Sequence, residues 1–373
     1  MNKLLVFIKK EAVFCTAALA ALISAVFVPP SAKYIGYINF NVLYMLFALM
    51  AVIAGLSRLN VFLRLAEVLL PLSKGKCRRL VFVLWAICFF SAMLVTNDVA
   101  LITFVPLAIT MLTMAKCEEY MIYTIVLQTV AANLGSMMTP MGNPQNLFLY
   151  DTFGVSPAEF ALITLPYGIL SFILLSLATL VLIKDKAASI EIISTDLGSK
   201  KLIYCYAVLG ILCLLTVFKY IDHRITAGAA LVFLAAADRR TLKNIDWFLL
   251  LTFVMFFVFV GNLGEISAVK DFISRMIKGR ECVSAVILSQ VISNVPCAAM
   301  LSGFTDNYRA LITGTNIGGL GTLVASLASL ISYRLYGSVY RDARPKEYLT
   351  AFTVINLIFL AVLLAFALLL LRG

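Results

Sequence analysis

Two stretches, Ala12 to Val28 and Val354 to Leu371, run without a charged residue for close to the ~20 positions that a helix needs to cross hydrocarbon. Several more runs of this kind lie between them. A soluble core could not hide them all, since 62% of the 373 residues are hydrophobic and only 13% are charged. That charged share is about half the usual one. The alternation of polar and apolar residues that a membrane barrel needs is absent. The fold class is therefore all-α, that of a polytopic membrane protein integral to a lipid bilayer.

The first apolar run follows Lys3, Lys9 and Lys10, as a secretion signal would. It ends in Val28-Pro29-Pro30 with no small-residue cleavage site, so it reads as a retained span. The net charge of +11 would suit a nucleic-acid binder. The cations fall between apolar runs, where membrane topology places them, and no nucleic-acid partner is expected. Cys15, Cys77, Cys88, Cys117, Cys205, Cys213, Cys282 and Cys297 are scattered, without a CxxC pair or a neighbouring histidine. They read as small apolar fillers, indicating neither a disulfide framework nor a metal site. His223 beside Arg224 reads as solvated in an outer loop, and Lys116, Glu118 and Glu119 as a solvated turn. Without a nucleophile–base pair at membrane depth or a Gly-x-x-x-x-Gly-Lys loop, neither an enzyme nor a cofactor is expected.

The apolar pattern predicts spans at 11–29, 41–57, 158–183, 202–218, 225–237, 245–262 and 348–371. Amphipathic stretches fall at 60–73 and 264–279. Between them lie two hairpins and two interrupted spans. The first hairpin has arms Leu80 to Val95 and Val99 to Ala115 around the tip Thr96-Asn97-Asp98. The second turns at Ser293-Asn294-Val295-Pro296, and its arms would reach only about 18 and 14 Å as helix, too short to span. The interrupted spans are 120–153 and 308–333. Placing the N-terminus in the cytoplasm puts most of the 30 Lys and Arg in cytoplasmic loops.

The same series occurs twice, which divides the chain into residues 1–190 and 191–373. Each half holds scaffold spans, a re-entrant hairpin and a broken helix. The first half carries tip 96–98 and break 133–146, the second tip 293–296 and break 315–326. Opposite entry of the two hairpins makes this an inverted repeat, with the broken elements meeting near the midplane.

Irregular backbone at membrane depth is costly unless it lines a polar cavity or packs inside protein. Four such breaks in matched pairs point to a solute or ion site. Its candidate residues are Thr96, Asn97, Asp98, Asn133, Gly135, Ser136, Thr139, Pro140, Gly142, Asn143, Ser293, Asn294, Thr315, Asn316, Gly318, Gly319 and Thr322. Exposed carbonyls would suit a cation and helix N-termini an anion. A coupling sodium ion would sit near Asn97, Asp98, Asn133 and Asn294, with a proton on Asp98 as the other means of coupling. The competing role for Asp98 is to cap the helix that follows it. No Arg or Lys is expected near the breaks to grip a dianion, and Cys297 follows the second tip.

Thr96-Asn97-Asp98-Val-Ala-Leu-Ile-Thr-Phe-Val-Pro106, Thr139-Pro-Met-Gly-Asn-Pro-Gln-Asn146, Ser293-Asn294-Val-Pro296 and Asn316-Ile-Gly-Gly319 resemble hallmarks of the ion transporter superfamily. The likeness is closest to its citrate-transporter-like and arsenical-pump-permease branch. It implies a carrier of elevator type, with a scaffold and a mobile transport domain, commonly a homodimer. Both tips depart from the Ser-Asn-Thr of dicarboxylate–sodium symporters. The expectation is a secondary carrier of a small anion or oxyacid driven by protons or sodium, in a prokaryotic cytoplasmic membrane. A sodium/proton antiporter is the alternative.

Overall fold

The structure is a computed structural model and describes residues 11–188, 195–340 and 342–371. Lys3, Lys9, Lys10 and the boundary at 190–191 lie outside them. The described residues are helical almost throughout, with one isolated bridge between Lys76 and Ala187. α1 (Ala12–Phe27) and the short α2 (Lys33–Tyr37) precede a first series. That series is α3 (Phe40–Arg58), α4 (Val61–Leu69), α5 (Cys77–Ala92), α6 (Asn97–Met114), α7 (Met121–Ser136), α8 (Pro144–Thr152) and α9 (Pro157–Leu182). α10 (Lys200–Val217) and α11 (His223–Ala237) intervene. The second series is α12 (Trp247–Glu265), α13 (Ser267–Ile277), α14 (Glu281–Ile292), α15 (Asn294–Ser302), α16 (Tyr308–Ile317), α17 (Leu327–Val339) and α18 (Pro345–Leu370).

A 19-residue helix opens each series, and a 26-residue helix with proline in its first turn closes it. Side chains start several of these helices by accepting an otherwise orphaned amide. Asn39 Oδ1 accepts from Val42 at 3.3 Å, Asp246 from Leu249 at 2.9 Å and Asn307 from Ala310 at 3.2 Å. Among the described residues six helices are long and apolar enough to cross a membrane: α3, α6, α9, α10, α12 and α18. The chain is thus a polytopic α-helical membrane protein. The hairpins differ in length. α14 and α15 have 12 and 9 residues, whereas α6, with 18, extends about 27 Å.

The two series pack in matching ways. α5 lies on α7, and α14 on α16. The second hairpin arms cross over: α6 packs on α17 of the other series, and α15 on α8. Two apolar cores result. One is built mainly from α5, α6, α7, α9 and α18 around Trp85 and Phe104, the other from α3, α8, α10, α12 and α15 around Tyr206 and Phe253.

Two readings of the sequence need correction here. A disulfide joins Cys77 to Cys117, with Cα atoms 6.1 Å apart. One begins α5 and the other follows α6, so the return of the hairpin brings together residues 40 apart. His223 is not freely solvated: its Nε2 lies 3.6 Å from Asp151 Oδ1, and both side chains are mostly buried.

Candidate functional site

Pro140, Gly142 and Pro144 end α7 and restart the chain as α8, because proline supplies no amide and resists the helix interior. Gly318, Gly319 and Gly321 do the same between α16 and α17, with Gly321 at φ 102°. Each hairpin tip docks on the break of its own series through one backbone hydrogen bond. Asn97 N–H donates to the Gly142 carbonyl at 3.3 Å, and Asn294 N–H donates to the Ala325 carbonyl at 2.9 Å.

The asparagines before the breaks then reach across. Asn133 Oδ1 accepts from Asn97 Nδ2 at 3.0 Å and from the Ser326 hydroxyl at 2.9 Å. Its Nδ2 points to Ser329 Oγ at 3.4 Å. In the opposite sense, Asn316 Nδ2 donates to Asn146 Oδ1 at 2.6 Å. Each α-helix that runs into a break is therefore tied to the helix that leaves the other break. The two tips meet on residues 325–326, since Asn97 Nδ2 is also 3.5 Å from Ser326 Oγ. Asn97, Asn133, Ser293, Asn294 and Asn316 are all buried.

The tips are tighter than the sequence suggested. Asn97 and Asp98 already form the first turn of α6, and the bend is Met93 to Thr96. Asn294 likewise begins α15, leaving Ser293 at φ 73° and ψ 154°. Asp98 makes no capping hydrogen bond. Its amide is held by Asn97 Oδ1 at 2.9 Å, and its own Oδ1 is buried with no hydrogen-bond partner among the described residues.

The remaining candidates divide by role. Thr139 donates to the Met93 carbonyl and accepts from the Gly142 amide at 3.1 Å, bracing the first break against the tip. Asn143 Nδ2 donates to Ser136 Oγ at 2.5 Å, and Thr315 bonds back to its own helix at Leu311. Gly135 serves packing, because a Cβ there would lie 2.1 Å from the Phe89 carbonyl oxygen. A Cβ at Gly318 would meet Ser289, and one at Gly319 would lie 2.9 Å from Asn294 Nδ2. Thr322 is held by Gln290, whose Oε1 accepts its amide at 2.9 Å. Gln290 Nε2 also donates to the Gly318 and Leu320 carbonyls, both at 3.0 Å. This residue organises the second break, and its signal in the sequence was a single amide side chain in an apolar arm. Cys297 faces α14, its thiol 3.3 Å from the Ala285 carbonyl, and lines neither cavity described below.

A cavity of about 400 Å³ opens beside the first tip, between the end of α3 and the start of α12. Thr96, Asp98, Pro144, Arg58, Asn244 and Asp246 line it. A second cavity of about 250 Å³ shares Asp98 and Asp246 and reaches Ser293, Pro296, Glu11 and Arg334. Asp98 therefore has a second acid for company. Two arginines also stand at the cavities, contrary to the reading that no cation lies near the breaks. Arg58 ends a helix remote in sequence from the second break, whereas Arg334 lies on α17, the helix that leaves that break. Arg58 is tied down: its guanidinium bonds Asp238, which also accepts from Tyr206 at 2.7 Å and Thr241 at 2.8 Å. Burial works against the charge on Asp238, but these donors outweigh it and hold its carboxyl below the usual range.

Farther along α12, α8 packs against it through aromatic rings. Phe148 of α8 stacks against Phe253 and Phe257 of α12, with ring centroids 6.1 and 5.5 Å apart. Phe148 and Phe257 also line a pocket of about 230 Å³ with Tyr37, Asn39 and Thr152.

The polar tips, the crossed breaks and the two cavities thus adjoin one another. Residues 4–308 match the family model described as citrate transporter. The chain belongs to the citrate transporter family. Among its relatives, an uncharacterized transporter of Methanocaldococcus jannaschii is 33% identical over 78% of this chain and 80% of its own length. An inner membrane protein of Escherichia coli is 32% identical over 64% of this chain and 65% of its own. A 46 kDa membrane protein of Mycobacterium leprae is 21% identical over 79% and 78%. The superfamily branch implied by the four motifs is thus the one to which this member of the citrate transporter family belongs.

Proposed function

We propose that this chain is a secondary active transporter that moves a small anion or oxyacid by elevator-type alternating access, coupled to protons or sodium. The observation that carries the reading is the reciprocal tie between the breaks, Asn133 to Ser326 and Asn316 to Asn146, with both tips docked beside it. A reciprocal tie of this kind is what an inverted repeat in two halves, about 1–190 and 191–373, would give. The cavity beside the first tip and the phenylalanine contact of α8 with α12 would fit one end state of alternating access. Movement of α8 past α12 would open the second. In this reading Asp98, beside Asn97, Asn133 and Asn294, takes the coupling proton or sodium ion. Its unpartnered oxygen is a hard ligand of the type sodium prefers. Coupling would be reciprocal, each ligand shifting the affinity of the other equally. The carrier would work as a homodimer in a prokaryotic cytoplasmic membrane with a cytoplasmic N-terminus.

The presence of Asp246 beside Asp98 in both cavities favours a second reading, sodium/proton antiport, more than the sequence did. Two substitutions test the shared core of both. Asn97→Ala and Asn294→Ala should each abolish flux in proteoliposomes while the purified protein keeps most of its melting temperature in detergent. Full flux in both variants would remove the tips from the site. Uptake of an anion against sodium exchange without one separates the two readings.

A further inference from the structure

An anion that enters the second cavity meets Asp98 and Asp246 on its walls. A carboxylate there repels it unless a cation stands by to answer the charge. Arg58, at the neighbouring cavity, does not supply one freely, since Asp238 holds its guanidinium and its Nε donates to Thr241 at 3.2 Å. Arg334 differs. It lines the second cavity, is exposed, and forms no ion pair with a carboxylate among the described residues. Leu327, Leu330, Ile331 and Arg334 line that cavity together. Their spacing of three, four and seven puts them on one face of α17, the helix that starts at the second break. The guanidinium thus stands two turns from Ser326, on the wall that leads to both tips.

We propose that Arg334 is the residue that recognises the charge of the anion, docking a carboxylate or oxyanion of the cargo at the mouth of the site. The inference rests on the anion-carrier reading and deepens it. A planar guanidinium presents paired donors to such a group, which a lysine ammonium matches only as a point charge. An arginine that merely sets membrane topology would act by its charge alone, wherever the anion goes.

The test is uptake by proteoliposomes with citrate, succinate and sulfate as probes, at several concentrations and two ionic strengths. Wild type, Arg334→Gln and Arg334→Lys are compared, with Arg239→Gln as a topology control outside the cavities. For the probe that wild type carries, Arg334→Gln should raise KM about tenfold or more, the loss expected for one charge-assisted hydrogen bond. Arg334→Lys should recover part of that loss, and Arg239→Gln should leave KM unchanged. An unchanged KM in Arg334→Gln, at wild-type protein orientation, overturns the proposal and leaves the anion carrier standing. Sodium/proton exchange by wild type without uptake of any probe overturns the anion-carrier reading itself. Arg334→Gln would then lower the KM for sodium, by removing a repelling charge.

Discussion

Replacing Asn133 by alanine removes an oxygen that accepts from both the first tip and the second break. Asn133 Oδ1 takes hydrogen bonds from Asn97 Nδ2 at 3.0 Å and from Ser326 Oγ at 2.9 Å, in a residue that is 3% exposed. Truncation leaves both donors buried without that acceptor, at about 1–3 kcal/mol each, so about 2–6 kcal/mol in all. The lower half of that range is expected, because a serine hydroxyl can turn toward another oxygen and an amide cannot. Ser326→Ala removes the donor instead, and the double variant should cost less than the sum of the two. Asn133 and Ser326 are 193 residues apart, so their coupling measures contact between the two halves directly. The assay is urea or thermal unfolding of the four proteins in a mild detergent, followed by tryptophan fluorescence. A coupling of about 0.5–3 kcal/mol is expected for groups in contact. Single effects that add within about 0.5 kcal/mol would refute the convergence of tip and break on this residue.

Three further outcomes follow from particular side chains. Ser293, at φ 73° and ψ 154°, holds a backbone conformation that glycine adopts freely, so Ser293→Gly should match or exceed wild-type stability by up to about 1–3 kcal/mol in the same unfolding assay. Asp98→Asn should fold and bind solute but lose the dependence of flux on a pH or sodium gradient; since Asp98 caps nothing, gradient-driven uptake at the wild-type rate would leave it without a role in coupling. Asp238, whose folded pKa lies below its ordinary value of 3.8, contributes stability that is present above that value and lost as pH falls through the lower folded one. Asp238→Asn should therefore cost about 1.5–3 kcal/mol at neutral pH, as charge-assisted hydrogen bonds are lost, and the melting curves of variant and wild type should converge only in acid, as pH falls below 3.8.

Much of this architecture could be read from residues close together in the chain. Unbroken apolar runs mark the spans, and Pro140, Pro144 and the glycines at 318, 319 and 321 mark where helices must stop. The paired Asn-x-Gly signals at Asn133 and Asn316 located the crossed breaks because both are local. What escaped was tertiary. Arg58, Arg334 and Asp246 each look in the sequence like an ordinary loop-facing charge, and only packing brings them to the cavities that Asp98 lines. Gln290 was passed over because one amide in an apolar arm resembles interhelical glue. The partnership of Cys77 with Cys117 depends on how the hairpin closes, which no spacing reveals. Helix starts at Asn97 and Asn294 were read one or two residues late, since an asparagine in a polar tip signals a turn as readily as a first helical residue.

The central claim is that this member of the citrate transporter family performs gradient-driven transport of an anion through the paired tips. The most direct measurement loads purified protein into proteoliposomes, imposes a pH or sodium gradient and follows labelled citrate, succinate or sulfate with time. Transient accumulation above the external concentration, abolished by collapsing the gradient and absent with Asn97→Ala, is the predicted result. Equilibration without accumulation, or accumulation that Asn97→Ala leaves intact, would contradict it.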